Sequence, residues 1–424
     1  MPDGPDYVVP KEELARYLAH EDVLDLSPVL FDNFQPDHCF VYPVHKNQYH
    51  PPLMRKLARD VFGMVEDMME EVQHQGTAVL GMETSWTQRS VFVSIERLTA
   101  GAASAMVVGK ELDNLIRWSN AMFLAGTITR VFPGLLRPIV GFLAIFPSRY
   151  YFSKFAACLQ PKMNEKLVEL QKAREAGGET DAAAANVLEG HLIEALSRND
   201  PRELHPGLLA YRIIFFSTSA FQTMSAAATH LMFDLYSADP SLGVVETLRS
   251  EIEAALRLTD GRWTAQALSA MPRLESTIRE SMRLSAFSTR GCSRKVISRN
   301  GYTTSKGEYI PYGGTVSIPQ WSIHHDDTVY EEALSFRPFR FYDEKENTCV
   351  SLATTSENFL SFGHGKRVCP GRLYAAVTLK LVLAFVVMNY DVMPLAERPT
   401  GHWLGTNHGP PLKATLTVRR RITV

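Results

Sequence analysis

Apolar residues recur at intervals of three and four along most of this chain, the spacing that gives a helix one buried face. Segments 11–20, 52–74, 86–108, 111–124, 149–176, 182–197 and 240–257 carry the pattern and are read as helices. Segment 208–236 differs: it is almost free of charge and apolar on every side, from Ile213–Phe216 through a run of Ser, Thr and Ala to Leu231–Phe233. Such a segment belongs at the centre of a protein, and its hydroxyls make it a poor membrane span. After residue 284 the pattern changes. Strand signals appear at 294–298, 303–311, 315–319 and 413–419, punctuated by Pro and Gly, before and after one last helical pattern at 373–389. The fold read from this is mainly α with a minor β region around a helical body.

Composition narrows the class. The chain has 424 residues, 45% of them hydrophobic, enough for one large core, and no break in composition divides it. A formal net charge of −2 gives no reason to expect nucleic acid as a partner. The five cysteines, Cys39, Cys158, Cys292, Cys349 and Cys369, are odd in number and lack paired spacing, which suits reduced thiols better than a disulfide scaffold. Repeats and low-complexity segments are absent, as are a cationic leader and an apolar run of ~20 residues. No G-x-G-x-x-G opens a helix after a strand, so no flavin or nicotinamide fingerprint is present.

Cys369 carries the most informative chemistry. It ends a glycine-bearing loop, Phe362 to Arg372, immediately before the helical pattern at 373–389. A thiolate there faces the free N–H groups of a helix start, which stabilise an anion on sulfur. A thiolate is an axial ligand for haem iron that favours O–O bond cleavage; a buried, inert cysteine is the alternative. The adjacent His324-His325 pair suggests a metal site at first sight. Neighbouring histidines on extended chain point to opposite faces, however, and no ligand partner stands at a converging spacing.

The order Phe362-x-x-Gly365-x-Arg367-x-Cys369-x-Gly371 resembles the signature loop F-x-x-G-x-R-x-C-x-G of the cytochrome P-450 family. The resemblance extends over nearly the whole chain. Glu280-x-x-Arg283 is similar to the family's E-x-x-R, although in isolation such a pair is usually a solvated helix pair. Phe336 to Phe341 is similar to its P-E-R-F segment, with Phe339 where the glutamate stands. Ser219-Ala220-Phe221-Gln222-Thr223 aligns with A-G-x-[D/E]-T, with Gln222 in place of the acid.

This resemblance implies a haem b buried between a long central helix and the Cys369 loop. Cys369 would be the iron ligand, Arg367 and Arg290 would pair with the two propionates, Phe362 would shield the sulfur, and Gly365 and Gly371 would admit the macrocycle where a Cβ would collide. Glu280, Arg283 and Arg340 would form a buried brace behind the loop. Thr223 and Gln222 would serve oxygen activation, with Ser219 or water sharing proton transfer in the absence of an acid. A hydroxyl bonded back to its own helix is the other reading of Thr223. His50 and Arg55 fall where relatives contact a propionate, without the usual Trp or Arg spacing. Lys366, Arg367, Arg372 and Lys380 would face an acidic reductase, an NADPH-dependent flavoprotein.

The resemblance further implies a monooxygenase that inserts one atom of O2 into a bulky hydrophobic substrate. Its style is that of fungal enzymes acting on terpenoid, polyketide or alkaloid skeletons. Two other outcomes stay open: an isomerase or dehydratase on the same fold, and a haem-binding member without activity. Residues 1–424 read as one domain that lacks the family's usual N-terminal anchor and first strands. Full-length relatives are expected on the cytosolic face of the endoplasmic reticulum. The apolar stretch 131–146 is too short to span a bilayer; it would either roof the substrate channel and touch a membrane surface, or be an ordinary core helix. The substrate pocket is expected from 215–223, 285–289 and 403–410.

Overall fold

The structure, a computed structural model, describes residues 5–32, 34–44, 53, 60–107, 112–175, 186–198 and 200–422. His50 and Arg55 lie outside the described residues. The axis of the fold is the helix Pro206–Tyr236, whose 31 residues span about 46 Å at the usual rise per residue. It starts where Pro206 takes the first helical position and the His205 ring accepts the Leu208 N–H. Most of its side chains are buried, and several of its hydroxyls avoid competing with the packing by bonding back one turn. Ser217 donates to the Ile213 carbonyl at 2.7 Å, Ser225 to Phe221 at 2.9 Å and Thr229 to Ser225 at 2.7 Å. A helix that is apolar all round must be covered all round. Val91–Val107, Leu112–Val131, Phe146–Glu175, Pro272–Leu284 and Arg372–Asn389 pack against it.

Small sheets flank this body, so the molecule is mainly α with a minor β region. The largest sheet has four strands in the order Asp6–Val8, Thr315–Ile318, Gly291–Val296, Leu24–Asp25. Asp6–Val8 runs parallel to Thr315–Ile318 with Asp6 opposite Thr315; the other pairs are antiparallel. A second sheet sets Thr415–Arg420 between Tyr390–Val392 and Thr87–Ser90.

Helix Val91–Val107 begins later than periodicity suggests, because 87–90 pairs with Thr415–Val418, more than 300 residues away. Segment 303–311 is a hairpin of two short strands, Tyr302–Thr303 and Tyr309–Ile310. The stretch around 131–146 is not a core helix. Leu135 is 90% exposed, and Ile139 and Leu143 project from Arg137–Ala144 into solvent. Among the described residues one helix is long and apolar enough to cross a membrane, Arg372–Asn389, and it is mostly buried behind Cys369.

Candidate haem-thiolate site

The loop that presents Cys369 is closed by its own backbone. The Cys369 N–H donates to the Phe362 carbonyl at 2.9 Å, and the Val368 N–H donates to Gly365 at 3.1 Å across the short turn Gly365–Arg367. Gly363 and Gly365 turn the chain with φ of +73° and +75°, a region costly for a residue with a Cβ. A Cβ on Gly365 would also meet Leu18 Cδ1 at 3.2 Å. Gly371 then caps Arg372–Asn389.

Burial is the largest influence on the Cys369 thiol and pushes it above its ordinary value; the Gly371 N–H and the Arg372 charge pull it partly back. A metal ion bound to this sulfur would hold it as the thiolate, since a coordinating thiol is deprotonated outright.

Beside the sulfur lies a cavity of about 200 Å³ that opens to solvent. Phe362, Cys369 and Gly371 line one side; Ser219, Ala220 and Thr223 of the central helix line it too. A Cβ built on Gly371 meets no atom within 4 Å, so this glycine opens onto free space beside the thiol. An apolar cavity with a thiol at one wall and small residues at another fits a flat macrocycle ligated through sulfur. Of the pocket segments expected, 215–223 and 285–289 contribute, the latter through Phe287. Segment 403–410 does not line it; it forms the hairpin His402–Leu404 with Asn407–Gly409.

The two arginines assigned to propionates are held elsewhere. Arg367, half exposed, meets Glu21 Oε2 at 3.4 Å, and Arg290 is ion-paired with Asp6. Neither lines the cavity. On the central helix the Ser219 hydroxyl donates to the Phe215 carbonyl at 3.0 Å, and Gln222 Nε2 donates to Asn120 Oδ1 at 2.8 Å. Thr223 lines the cavity.

Behind the loop, Glu280, Arg283 and Arg340 come together. Both Glu280 oxygens are engaged, by Arg283 Nε and Nη2 at 2.8 Å each and by Arg340 Nε at 3.0 Å. The Arg337 N–H adds a bond at 3.1 Å. Glu280 and Arg283 are fully buried, so charge neutralisation within the group is what makes it tolerable.

His324 extends this brace to the ligand loop, a role sequence reasoning missed. It sits at the end of the short helix Gln320–His324, not on extended chain. Its Nε2 accepts the Leu360 N–H at 3.0 Å, which makes Nδ1 the protonated nitrogen, donating to the Arg283 carbonyl at 3.1 Å. Burial lowers its pKa to about 3, so the ring stays neutral. His325 instead stacks on Trp321, and no group of metal-ligating side chains occurs among the described residues.

Lys380 also departs from expectation. It is buried, bonded to Glu275 at 2.7 Å and to the Leu268 carbonyl, and so is no part of a docking surface. Arg372 donates to the Cys369 carbonyl, leaving Lys366 and Arg367 as the exposed cations of the loop.

The family model for cytochrome P450 matches residues 42–407, so the chain belongs to the cytochrome P450 family. Among curated relatives it is 28% identical to the cytochrome P450 monooxygenase gloP of Glarea lozoyensis, over 87% of this chain and 72% of that protein. It is 30% identical to htyF of Aspergillus rugulosus, over 93% of this chain and 62% of that protein. It is 31% identical to cytochrome P450 monooxygenase 151 of Postia placenta, over 92% and 77%. The family's cofactor is haem, and its monooxygenases use O2, a substrate and a reducing partner.

Proposed function

We propose that this P450 monooxygenase inserts one oxygen atom from O2 into a bulky hydrophobic substrate in fungal secondary metabolism, with haem b held by the Cys369 thiolate. The observation that supports the reading is the shared cavity, in which the Cys369 thiol and the Thr223 side chain line one largely apolar space. When bound, the haem supplies the activation of O2.

The protein's own residues do the rest. Phe362 packs beside the sulfur and keeps water from it. The closed loop from Phe362 to Cys369 fixes the sulfur's position, and the Glu280–Arg283–Arg340 brace, through His324, fixes the loop. Arg367 and Arg290 would leave Glu21 and Asp6 to hold the propionates. Thr223 supplies a hydroxyl for proton movement on the cavity side. Phe216, Met224 and Phe287 give the substrate an apolar wall. Lys366, exposed on the loop, presents positive charge to an acidic NADPH-dependent flavoprotein reductase at the cytosolic face of the endoplasmic reticulum.

The test is incubation of the haem-loaded protein with a P450 reductase, NADPH and a panel of polycyclic apolar compounds under isotopically labelled O2. A product heavier by one labelled oxygen atom is expected. A product formed without O2 would overturn the monooxygenase reading in favour of an isomerase.

A further inference from the structure

Phe287 stands in the cavity wall on a segment with no regular structure of its own. Residues 285–290 link helix Pro272–Leu284 to strand Gly291–Val296 and lie in neither helix nor strand. Hydrogen bonds tie this link to the hairpin formed by His402–Leu404 and Asn407–Gly409. The His408 N–H donates to the Phe287 carbonyl at 2.8 Å, and the Thr289 N–H donates to the Thr406 carbonyl at 2.8 Å. The Ser288 hydroxyl donates to the same Thr406 carbonyl at 3.0 Å. The wall is therefore only as firm as the hairpin.

A two-stranded hairpin is at best marginally stable alone, so something must hold this one. The hold is on the His408 ring. Trp403, its cross-strand partner, stacks on it with centroids 4.5 Å apart and planes 26° from parallel. His230 of the central helix stacks on it at 4.8 Å and 30°, and Trp321 meets it edge-on at 5.3 Å.

His230 is itself fixed. It is fully buried, and Arg398 Nη2 lies 3.1 Å from its Nδ1. A guanidinium can only donate, so Nδ1 accepts and the ring proton sits on Nε2. Asp234, also on the central helix, ion-pairs with Arg398 and accepts from the Ser281 hydroxyl. Burial keeps both histidines uncharged at neutral pH, with the His408 pKa lowered to about 4, so no repulsion opposes the stack.

Hairpin and link thus form one unit. Its outer end, Trp403, is 47% exposed, and its inner end, Phe287, lines the cavity. We propose that His408 is a positioning residue for substrate specificity: gripped by His230 and Trp403, it sets the place of Phe287 and so the size of substrate admitted, although the hairpin itself does not line the cavity. The bulkiest apolar molecules are turned away because the wall cannot retreat while the stack holds. The inference rests on the reading of the cavity as the haem and substrate site.

The test is spectral titration of the haem-loaded protein with imidazole, N-phenylimidazole and N-tritylimidazole, whose free nitrogen ligates the iron and shifts the Soret band. Wild type should favour the smaller compounds over the trityl one. His408→Ala should raise the affinity for the trityl compound relative to imidazole by roughly tenfold, the scale on which a hydrophobic pocket resolves size. His408→Phe, which keeps a ring to stack, should restore the wild-type ratio, and Trp403→Ala should shift it part of the way. Phe287→Ala should show the relaxed ratio by itself. Adding His408→Ala to it should change nothing further, because the two residues act in series.

An unchanged ratio in a folded His408→Ala protein would overturn the inference. So would a His408→Ala effect of the same size in the Phe287→Ala background, which would mark a merely structural role. If His408→Ala does not fold, Trp403→Ala carries the test, and a wild-type ratio there overturns the inference. A reduced, haem-loaded wild type whose carbon monoxide complex lacks the red-shifted Soret band would instead sink the haem-thiolate reading beneath it.

Discussion

Replacing Glu280 by Gln is the substitution whose consequence is best defined by the geometry. The side chain keeps its size but loses its charge, and one of its oxygens becomes a donor. Each oxygen now accepts from arginine N–H groups, so a donor at either position would face donors at 2.8–3.0 Å. Arg283, fully buried, and Arg340, with 9% of its side chain exposed, would lose the charge that neutralises them. Removing one partner of a buried ion pair costs about 3–5 kcal/mol. Against a total stability of roughly 5–15 kcal/mol, that is a large fraction, or about two to four decades in the folding equilibrium.

Urea unfolding followed by tryptophan fluorescence reads the effect directly. The matched control is Arg337→Ala, which removes an exposed pair with Glu331 worth about 0–1 kcal/mol. Glu280→Gln should unfold at much lower urea and retain little haem, while Arg337→Ala stays near wild type. If Glu280→Gln unfolds within about 1 kcal/mol of wild type, the brace does not act as a neutralised unit and the argument from burial fails.

Three further outcomes follow from the site. The folded protein holds His324 neutral down to a pKa of about 3, whereas an unfolded chain protonates it near 6.5. Its contribution to stability is therefore present above pH 6.5 and lost as pH falls, by up to about 1.4 kcal/mol per unit. His324→Gln should lower stability at pH 7 yet flatten the decline between pH 6 and 4; an unchanged slope in stability measured against pH would contradict the assignment. Gly371→Val should leave circular dichroism unchanged while excluding the cofactor, seen as a loss of bound haem on reconstitution, because its side chain would enter the space beside the thiol. Normal haem binding would mean that the macrocycle does not approach this glycine. Thr223→Ala should divert electrons from product to peroxide, and an unchanged product-to-NADPH ratio would place proton handling on another group.

The central helix was legible because its apolar, uncharged run has one structural solution, burial on all sides. The strand Thr87–Ser90 was not, since its four residues follow no local pattern and take their conformation from Thr415–Val418. Asp6–Val8 escaped notice for the same reason, being specified by its pairing with Thr315–Ile318. Within the site, motif order drew attention to Cys369, Glu280, Arg283 and Arg340.

Other parts of the site depend on encounters between distant segments. Leu360 and Arg283 find His324, Gln222 finds Asn120 across 102 positions, and Lys380 finds Glu275 across 105. A charged residue in a helical stretch reads as a surface group unless its buried partner is known, and this misassigned Lys380.

The central claim is that Cys369 is the axial ligand of a haem in this cavity. Its most direct test is the carbon monoxide difference spectrum of the reduced, haem-loaded protein beside its five single Cys→Ser variants. The red-shifted Soret band of a thiolate complex is expected in wild type and in the variants at Cys39, Cys158, Cys292 and Cys349, and its loss is expected only at Cys369. A Cys369→Ser protein that keeps the band, or a folded, haem-loaded wild type that never shows it, would contradict the account.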